Sequence, residues 1–230
     1  MSGINSDRTN FVIVHGGWAG GWAWQRVVDR LHDLGHRAFA PTLTGLGERS
    51  HLAGVGVDMQ THIADIVNEI VWKDLNDVVL VGHSYGGMVT TGVIERIPER
   101  IASVVFVEPF IPGDNQSFSD LVPDWELDGP LTDAPPTSPG DYVSEADRLW
   151  VDAKATPQPT ATLTQRQRVT GAYRNISKRA FVQATNWDLF ADMARKYEQE
   201  EGWTVHRIAS GHDIAIDAPD ELVAVLVEAI

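Results

Sequence analysis

Residues 77–89 read DVVLVGHSYGGMV, and this stretch decides how the rest of the chain is interpreted. An apolar run at 78–81 leads into a serine that stands between two glycines, in the pattern GHSYG at 82–86. Glycine and serine are common wherever a strand ends in an ordinary turn. The same pattern, G-x-S-x-G, is also typical of a strained strand-to-helix turn that exposes a nucleophilic serine, here Ser84. The motif is short, so the rest of the sequence has to decide between the two explanations.

Strand-like and helix-like runs alternate on both sides of this motif. Apolar, β-branched runs predict strands at 11–15, 36–40, 78–81, 101–107, 179–184 and 203–208. Apolar residues at helical spacing predict helices at 24–34, 59–72, 85–97, about 189–200 and from about 219 onward. Nearly continuous apolar strands that alternate with helices predict an α/β fold, with a mainly parallel sheet covered by helices on both faces.

The segment 111–177 interrupts this alternation. It contains eight of the twelve prolines, and its stretch DGPLTDAPPTSPGD at 128–141 is rich in turn residues. Short helices are predicted at 144–155 and 164–173. The apolar residues Leu149, Trp150, Leu163 and Tyr173 need burial, which favours an ordered, mainly helical cap insertion over a disordered linker. We therefore expect one domain, 1–230, with a cap insertion at about 111–177.

Composition excludes several classes of function. The chain has no cysteine, which rules out disulfides, thiolate metal sites and a cysteine nucleophile. A net charge of −14 argues against nucleic acid and anionic membranes as partners. The polar opening MSGINSDRTN lacks the apolar core of a secretory signal, and no apolar run is long enough to cross a membrane, so we expect a cytoplasmic protein. Neither the histidine spacing nor the stretch GGWAGG at 16–21 fits a metal or phosphate site, so no cofactor and no metal are expected.

Polar residues follow four of the predicted strands, at the carboxyl ends where open parallel sheets build their sites. The sequence HGGW at 15–18 follows the first strand and Ser84 follows the third. Asp188 follows the strand 179–184, and His212 follows the strand 203–208. Serine, acid and histidine in this chain order match the order expected of an α/β-hydrolase.

Each of these residues has a chemical task in such a site. The Ser84 hydroxyl needs a base within hydrogen-bond reach, and His212 would take its proton and return it to the leaving group. The developing oxyanion needs fixed donors, for which the backbone N–H groups of Gly17 and Tyr85 are predicted. The remaining histidines near the site, His15 and His83, are predicted to bind loop backbone rather than to act as bases.

Two carboxylates compete for the place next to His212. Asp188, in ATNWDLF at 184–190, occupies the position that this fold usually uses. Glu108 ends the strand 101–107, and a carboxylate there could also reach the histidine. We rank Asp188 first and keep Glu108 as the alternative acid. Asp213, adjacent to His212, is predicted to point away from it towards the surface.

Four stretches resemble one group of α/β-hydrolases: FVIVHGGWAGGWAW (11–24), LHDLGHRAFAPTLTGLGERS (31–50), VVLVGHSYGGMV (78–89) and VVFVEPFIP (104–112). The group contains plant methylesterases, hydroxynitrile lyases and bacterial carboxylesterases that include pyrethroid hydrolases. The resemblance covers the core, 10–112 and 179–230, but not the insertion 111–177. It implies the α/β-hydrolase fold, a catalytic triad at Ser84, Asp188 and His212, and oxyanion donors at Gly17 and Tyr85.

The sequence therefore predicts a serine hydrolase that cleaves apolar or aromatic small-molecule esters through an acyl-enzyme. A cofactor-free lyase on the same scaffold and a catalytically silent ligand-binding protein are the alternatives, and a homodimer is left open. The resemblance argues against the lyase, because the hydroxynitrile lyases of the group carry a threonine after the first-strand histidine and a lysine after the catalytic histidine. Here those places hold Gly16 and Asp213.

Overall fold

The computed structural model of this protein describes residues 8–54, 56–125, 127 and 129–230. Its strands are β1 Asn10–Val14, β2 Arg37–Phe39, β3 Val78–His83, β4 Ile101–Val107, β5 Leu131–Thr132, β6 Gln158–Pro159, β7 Lys178–Ala184 and β8 Trp203–Ile208. Six of them form one parallel sheet in the order β2-β1-β3-β4-β7-β8. The six predicted strands are thus confirmed, and so is their parallel arrangement. The two short strands β5 and β6 pair antiparallel in a separate ribbon.

Nine α-helices occur in the described residues: α1 Gln25–Asp33, α2 Met59–Trp72, α3 Gly86–Arg96, α4 Phe118–Leu121, α5 Glu145–Lys154, α6 Thr160–Thr164, α7 Ala191–Glu198, α8 Ile214–Asp217 and α9 Pro219–Glu228. The bounds of α2 agree with the predicted ones because its start is capped. The Asp58 carboxylate accepts a hydrogen bond from the Thr61 N–H, and the Thr61 side chain bonds back to Asp58. None of these helices is both long and apolar enough to cross a membrane.

Alternate residues along the strands pack on opposite faces of the sheet. On one face, Val12 and Leu80 belong to a buried cluster with residues of α2, α3 and α7. On the other face, Ile13 and Val81 belong to a second cluster with residues of α1, α8 and α9. Because both faces of the sheet are covered, both sets of alternate positions have to be apolar. This explains the nearly continuous apolar runs in the sequence.

The segment 111–177 lies between β4 and β7 and contains α4, α5, α6 and the β5–β6 ribbon. The helix predicted at 144–155 is confirmed as α5, whereas the one predicted at 164–173 is wrong. The chain after α6 forms an antiparallel bridge between Gln116 and Gln167, and Gly171 has a left-handed φ of +81°, which together prevent a helix. Leu163 and Tyr173 are buried as expected, but Leu149 is 55% exposed.

Candidate active site

Ser84 lies on a sharp turn directly after β3 and adopts a φ of +52°, a left-handed value that is disfavoured for any residue with a Cβ atom. Hydrogen bonds hold the turn on both sides. The Ser84 N–H donates to the Val107 carbonyl at 3.1 Å, and the Ser84 carbonyl accepts from the N–H groups of Gly87 at 2.9 Å and Phe110 at 3.0 Å. Strain of this kind persists only where the surrounding structure fixes it, and it is typical of functional sites. The G-x-S-x-G sequence thus has the strand–turn–helix context that a nucleophile elbow requires.

The two glycines of the motif permit close backbone contacts. A Cβ atom on Gly86 would lie 2.4 Å from the carbonyl oxygen of Val14 and 2.6 Å from that of His15. A Cβ atom on Gly82 would lie 2.3 Å from the Thr90 hydroxyl. None of these three distances is compatible with a side chain, so the turn presses α3 against the end of β1. An ordinary strand-ending turn does not demand contacts this short.

Ser84 and His212 line the same cavity, which has a volume of about 260 Å³. Its described lining includes seven aromatic residues (Trp18, Trp22, Phe110, Phe118, Trp125, Tyr142 and Trp187) and three acidic ones (Asp141, Asp152 and Asp213), and no lysine or arginine. Three tryptophans occur in the stretch 18–24. Trp24 is buried there, but both other tryptophans of that stretch reach the cavity.

Glu108 lies behind His212, on the side away from the cavity. Its Oε2 atom is 3.6 Å from His212 Nδ1, and in the described part of the chain neither atom has another polar partner within hydrogen-bond distance. Its Oε1 atom accepts a hydrogen bond from the Ala184 N–H at 2.8 Å. The side chain is fully buried, and this burial raises the pKa of the Glu108 carboxyl. Glu108 also has a left-handed φ of +44°.

Asp188 does not reach His212, so the ranking of Asp188 above Glu108 is corrected by the geometry. The Asp188 side chain is exposed and does not line the cavity, although both of its neighbours in the chain do. The turn after β7 directs Trp187 and Phe190 inward instead, with ring centroids 5.6 and 5.9 Å from that of His212. These aromatic rings occupy the positions next to the imidazole, and the carboxylate beside it is Glu108.

Gly17 and Tyr85 lie side by side next to Ser84. A Cβ atom on Gly17 would be 3.6 Å from Tyr85 Cβ, and one on Gly16 would be 3.3 Å from Ser84 Cβ. Within the described residues, neither the Gly17 N–H nor the Tyr85 N–H donates a hydrogen bond. The phenol of Tyr85 is directed away from the cavity, where it donates to His62 Nδ1 at 2.8 Å. Two free backbone donors therefore adjoin the serine.

The histidines predicted to bind loop backbone make such contacts. His15 Nε2 accepts from the Leu43 N–H at 3.0 Å, and His15 Nδ1 lies 2.7 Å from the Gly16 carbonyl. His83 Nε2 donates to the His212 carbonyl at 3.1 Å. Burial lowers the pKa of both imidazoles to about 4, so both are neutral at pH 7. Within the residues that the structure describes, no group of three or more His, Asp or Glu side chains is arranged to hold a metal ion.

Asp213 does not point to the surface, which corrects the prediction for this residue. Its carboxylate lines the cavity and accepts a hydrogen bond from the Tyr142 hydroxyl, and it lies 3.8 Å from His83 Nε2. Tyr142 belongs to the segment 111–177, so this contact ties that segment to the loop that carries His212. The two residues are 71 positions apart in the chain, and nothing in the local sequence signals their contact.

The profile described as "Alpha/beta hydrolase family" matches residues 11–225. A "Carbendazim hydrolyzing esterase" from Nocardioides sp. (strain SG-4G) is 37% identical, over 93% of this chain and 96% of its own length. "Methylesterase 1" from Arabidopsis thaliana is 32% identical, over 48% of this chain and 43% of its own length.

Solved structures show the same fold. An extracellular alpha/beta-hydrolase from a Paenibacillus species superposes with a TM-score of 0.82 and 24% identity, over 96% of this chain and 98% of its own. Polyneuridine aldehyde esterase superposes with a TM-score of 0.73 and 21% identity, over 96% of this chain and 98% of its own. Because the family profile spans the sheet from β1 through most of α9, this chain belongs to the alpha/beta hydrolase family.

Proposed function

We propose that the protein hydrolyses small carboxylic esters through an acyl-enzyme formed on Ser84. The single observation that carries the proposal is the alignment of three groups from different strand ends. Ser84, on its strained turn, and His212 share one cavity, and the buried carboxylate of Glu108 lies 3.6 Å behind the imidazole. The esterase names of the relatives support the same reaction class.

The proposed reaction begins when His212 takes the proton of the Ser84 hydroxyl as its oxygen attacks the acyl carbon. The carbonyl oxygen becomes an oxyanion, and the N–H groups of Gly17 and Tyr85 stabilise it. His212 then returns the proton to the departing alcohol, leaving the acyl group on Ser84. A water molecule, activated by the same imidazole, attacks this ester, and the carboxylic acid is released.

Glu108 has two effects in this proposal. It orients the imidazole so that Nε2 is available to Ser84, and its negative charge stabilises the imidazolium that forms during attack. Burial makes this negative charge costly when His212 is neutral, which is why the pKa of Glu108 is raised. The positive charge on His212 offsets that cost at the moment of proton transfer, so the pair favours the transition state over the resting state.

The cavity suits apolar or aromatic esters of modest size. Most of its described lining is aromatic or aliphatic, and its volume of about 260 Å³ is slightly below the usual range for ligand pockets, which begins at about 300 Å³. We propose that the segment 111–177 acts as the cap that closes this cavity, because Tyr142 and Trp125 come from it. The name of the Nocardioides relative makes carbendazim one substrate to test.

The geometry gives no support to the lyase alternative. A Cβ atom on Gly16 would lie 3.0 Å from His83 Nδ1 and 3.3 Å from Ser84 Cβ, so the threonine of the resembling lyases would require these side chains to shift, and Gly16 itself offers no hydroxyl. Asp213, which takes the place of their lysine, carries the charge that would oppose a departing cyanide. We expect no release of cyanide from mandelonitrile above the rate in buffer.

Covalent labelling tests the assignment of Ser84. A fluorophosphonate is expected to modify Ser84, and Ser84→Ala is expected to lose activity on p-nitrophenyl esters by a factor on the order of 10⁶. Ser103→Ala is the matched control, because Ser103 is a buried serine of β4 that lies outside the cavity lining. It should keep full activity and full labelling. Labelling of another residue, together with an active Ser84→Ala variant, would contradict the proposal.

A further inference from the structure

The loop after β1, which carries Gly17, is held by the segment 111–177 rather than by the sheet. The Trp18 N–H donates to Oε1 of Gln158 at 2.9 Å, and the Trp18 carbonyl accepts from the Thr156 N–H at 3.0 Å. The indole N–H of Trp18 donates to the Thr132 carbonyl at 2.9 Å. All three hydrogen-bonding groups of Trp18 are therefore bonded to this segment.

Trp18 needs this support because its backbone is strained. Its φ is +57°, a left-handed value that a tryptophan adopts only when its surroundings fix it. The bond to Gln158 fixes the peptide plane that joins Gly17 to Trp18. Gln158 Oε1 also lies 3.2 Å from the position that a Cβ atom on Gly17 would take, so it leaves little room for a side chain at Gly17.

The orientation of the Gln158 amide is itself determined by its partners. The side chain is fully buried, and its Nε2 atom donates to the Thr162 hydroxyl at 2.8 Å. That hydroxyl donates its own proton to the Pro159 carbonyl at 2.7 Å, so it can only accept from Gln158. The amide oxygen is then left for the Trp18 N–H, which can only donate.

We infer that Gln158 is a positioning residue for the oxyanion site. By fixing the peptide plane that follows Gly17, it fixes the backbone position from which the Gly17 N–H faces the place where the acyl oxygen becomes negatively charged. The inference rests on the proposed function, and it makes the segment 111–177 part of the catalytic apparatus as well as a cover. Hydrogen bonds to an oxyanion strengthen in the transition state, so a displaced donor lowers kcat more than it changes KM.

Three variants test this role on p-nitrophenyl ester hydrolysis. Gln158→Met keeps the volume but removes the acceptor for the Trp18 N–H, and kcat is expected to fall about 10- to 100-fold with KM nearly unchanged. Gln158→Glu retains an acceptor oxygen and should recover most of that loss. The matched control is Gln167→Met, because Gln167 is a second buried glutamine of the same segment and donates to the Met88 carbonyl, away from the Trp18 loop. It should keep the wild-type kcat.

A trifluoromethyl ketone inhibitor separates positioning from general stability. Ser84 Oγ adds to its carbonyl carbon, His212 takes the serine proton, and the carbonyl oxygen becomes an oxyanion in the adduct. Its inhibition constant should rise in Gln158→Met in proportion to the loss of kcat/KM. The acidic limb of the pH–rate profile should not move, because the contact between His212 and Glu108 is untouched.

Wild-type kcat in a folded Gln158→Met variant, or an equal loss in Gln167→Met, would overturn the inference. If Gln158→Met does not fold, Gln158→Glu decides: a folded variant with unchanged inhibitor affinity and kcat supports the role of the acceptor oxygen, and a loss of about 100-fold overturns it. The proposed function fails separately, and the inference with it, if the wild type hydrolyses no ester and Ser84 is not labelled.

Discussion

The carboxylate of Glu108 is cut off from water, and this determines how its charge is balanced. One of its oxygens accepts from the Ala184 N–H, and the other faces only His212 Nδ1. A buried carboxylate is destabilising unless an opposite charge or several donors compensate it. The left-handed backbone of Glu108, together with its N–H bond to the Val182 carbonyl, fixes the residue at the end of β4 beside β7. The imidazole is therefore the partner on which the charge of Glu108 depends.

Substituting the two competing carboxylates separates them by function. In Glu108→Gln, kcat on p-nitrophenyl esters is expected to fall by about 10⁴ or somewhat less, because the imidazole loses its orienting and charge-stabilising partner. Asp188→Asn is the matched change at an exposed side chain and should leave kcat unchanged. If the asparagine variant proves the more damaged of the two, then Asp188 moves next to His212 during turnover and our assignment is wrong.

Residue patterns were enough to place Ser84 and His212 at one cavity, but they did not identify Glu108 as the carboxylate beside the imidazole. A serine between glycines and a histidine after the last run of strand residues each carry a local signal. The acid depends instead on the direction in which a side chain leaves a turn, and the turn after β7 gives the inward positions to Trp187 and Phe190. Gln158 had no signal, because its contact with Trp18 joins residues 140 positions apart.

Among the secondary-structure elements, β1 and α3 make the approach that shapes the serine turn. Gly86, the first residue of α3, has no room for a side chain because two carbonyl oxygens at the end of β1 lie within 2.6 Å of where its Cβ atom would be. Carbonyls that belong to a central strand cannot move without breaking its pairing with β3. The glycine at this place is therefore required by the packing of the two elements as well as by the turn.

Gly86→Ala is expected to destabilise the fold by about 1–3 kcal/mol, the usual cost of overpacking a closed site, and to lower activity with it. The control is Gly54→Ala, since a Cβ atom on Gly54 would meet nothing within 4 Å. Urea unfolding should place the midpoint of Gly86→Ala clearly below that of the wild type and leave Gly54→Ala near it. Equal midpoints for the two variants would mean that α3 can shift away from β1.

Secondary-structure elements that are specified by their own local sequence were predicted well, whereas the region 164–173, which depends on tertiary contacts, was not. The strands of the main sheet and α2 carry their own periodicity, and α2 carries its own capping residues. The region 164–173 has helix-compatible residues, but its backbone bonds to Asn115 and Gln116 from the start of the same segment. A tertiary pairing of this kind overrides local preference and cannot be found by inspecting one window of sequence.

For the molecule as a whole, buried histidines link stability to pH. Burial lowers the pKa of His15, His62 and His83 to about 4, against 6.5 for a free imidazole. As the pH falls below 6.5, these three imidazoles bind protons in the unfolded chain but remain neutral in the folded protein. The stability present above pH 6.5 is therefore lost progressively down to pH 4, by about 3 kcal/mol for each histidine. The raised pKa values of Glu108 and Asp217 act in the opposite direction and reduce the net loss.

Removing one of these histidines should flatten the dependence of stability on pH. In His62→Gln, the slope of the unfolding free energy between pH 6.5 and 4 is expected to fall by up to about 1.4 kcal/mol per pH unit. His51→Gln, at an exposed histidine, is the control and should keep the wild-type slope. Urea titrations at half-unit pH intervals measure both. A wild-type slope in His62→Gln would contradict the prediction, because it would mean that this imidazole binds protons equally in the folded and unfolded protein over this pH range.

Negative charge dominates both the molecule and its cavity. The chain carries a net charge of −14, and three carboxylates line the cavity with no lysine or arginine among the described lining residues. The Coulomb repulsion between a negative charge and one carboxylate about 8 Å away is about 2 kcal/mol at an effective dielectric constant of 20. An ester with an anionic group should therefore be excluded even when its shape fits the aromatic walls.

We expect the protein to discriminate between 4-acetoxybenzoate, which is an anion, and 4-acetoxybenzamide, which is neutral and of similar shape. After each rate is divided by the hydroxide-catalysed rate of the same ester, kcat/KM for the anion should be at least about tenfold lower. Added salt should bring the normalised kcat/KM values of the two esters closer together, because it screens charges beyond a Debye length of about 10 Å at 0.1 M. Asp213→Asn should also bring the two values closer together, since it removes one cavity carboxylate. Any effect of this substitution on the chemical steps that the two esters share cancels when one value is divided by the other. Equal normalised rates for the two esters would mean that the cavity carboxylates are neutralised when the substrate binds.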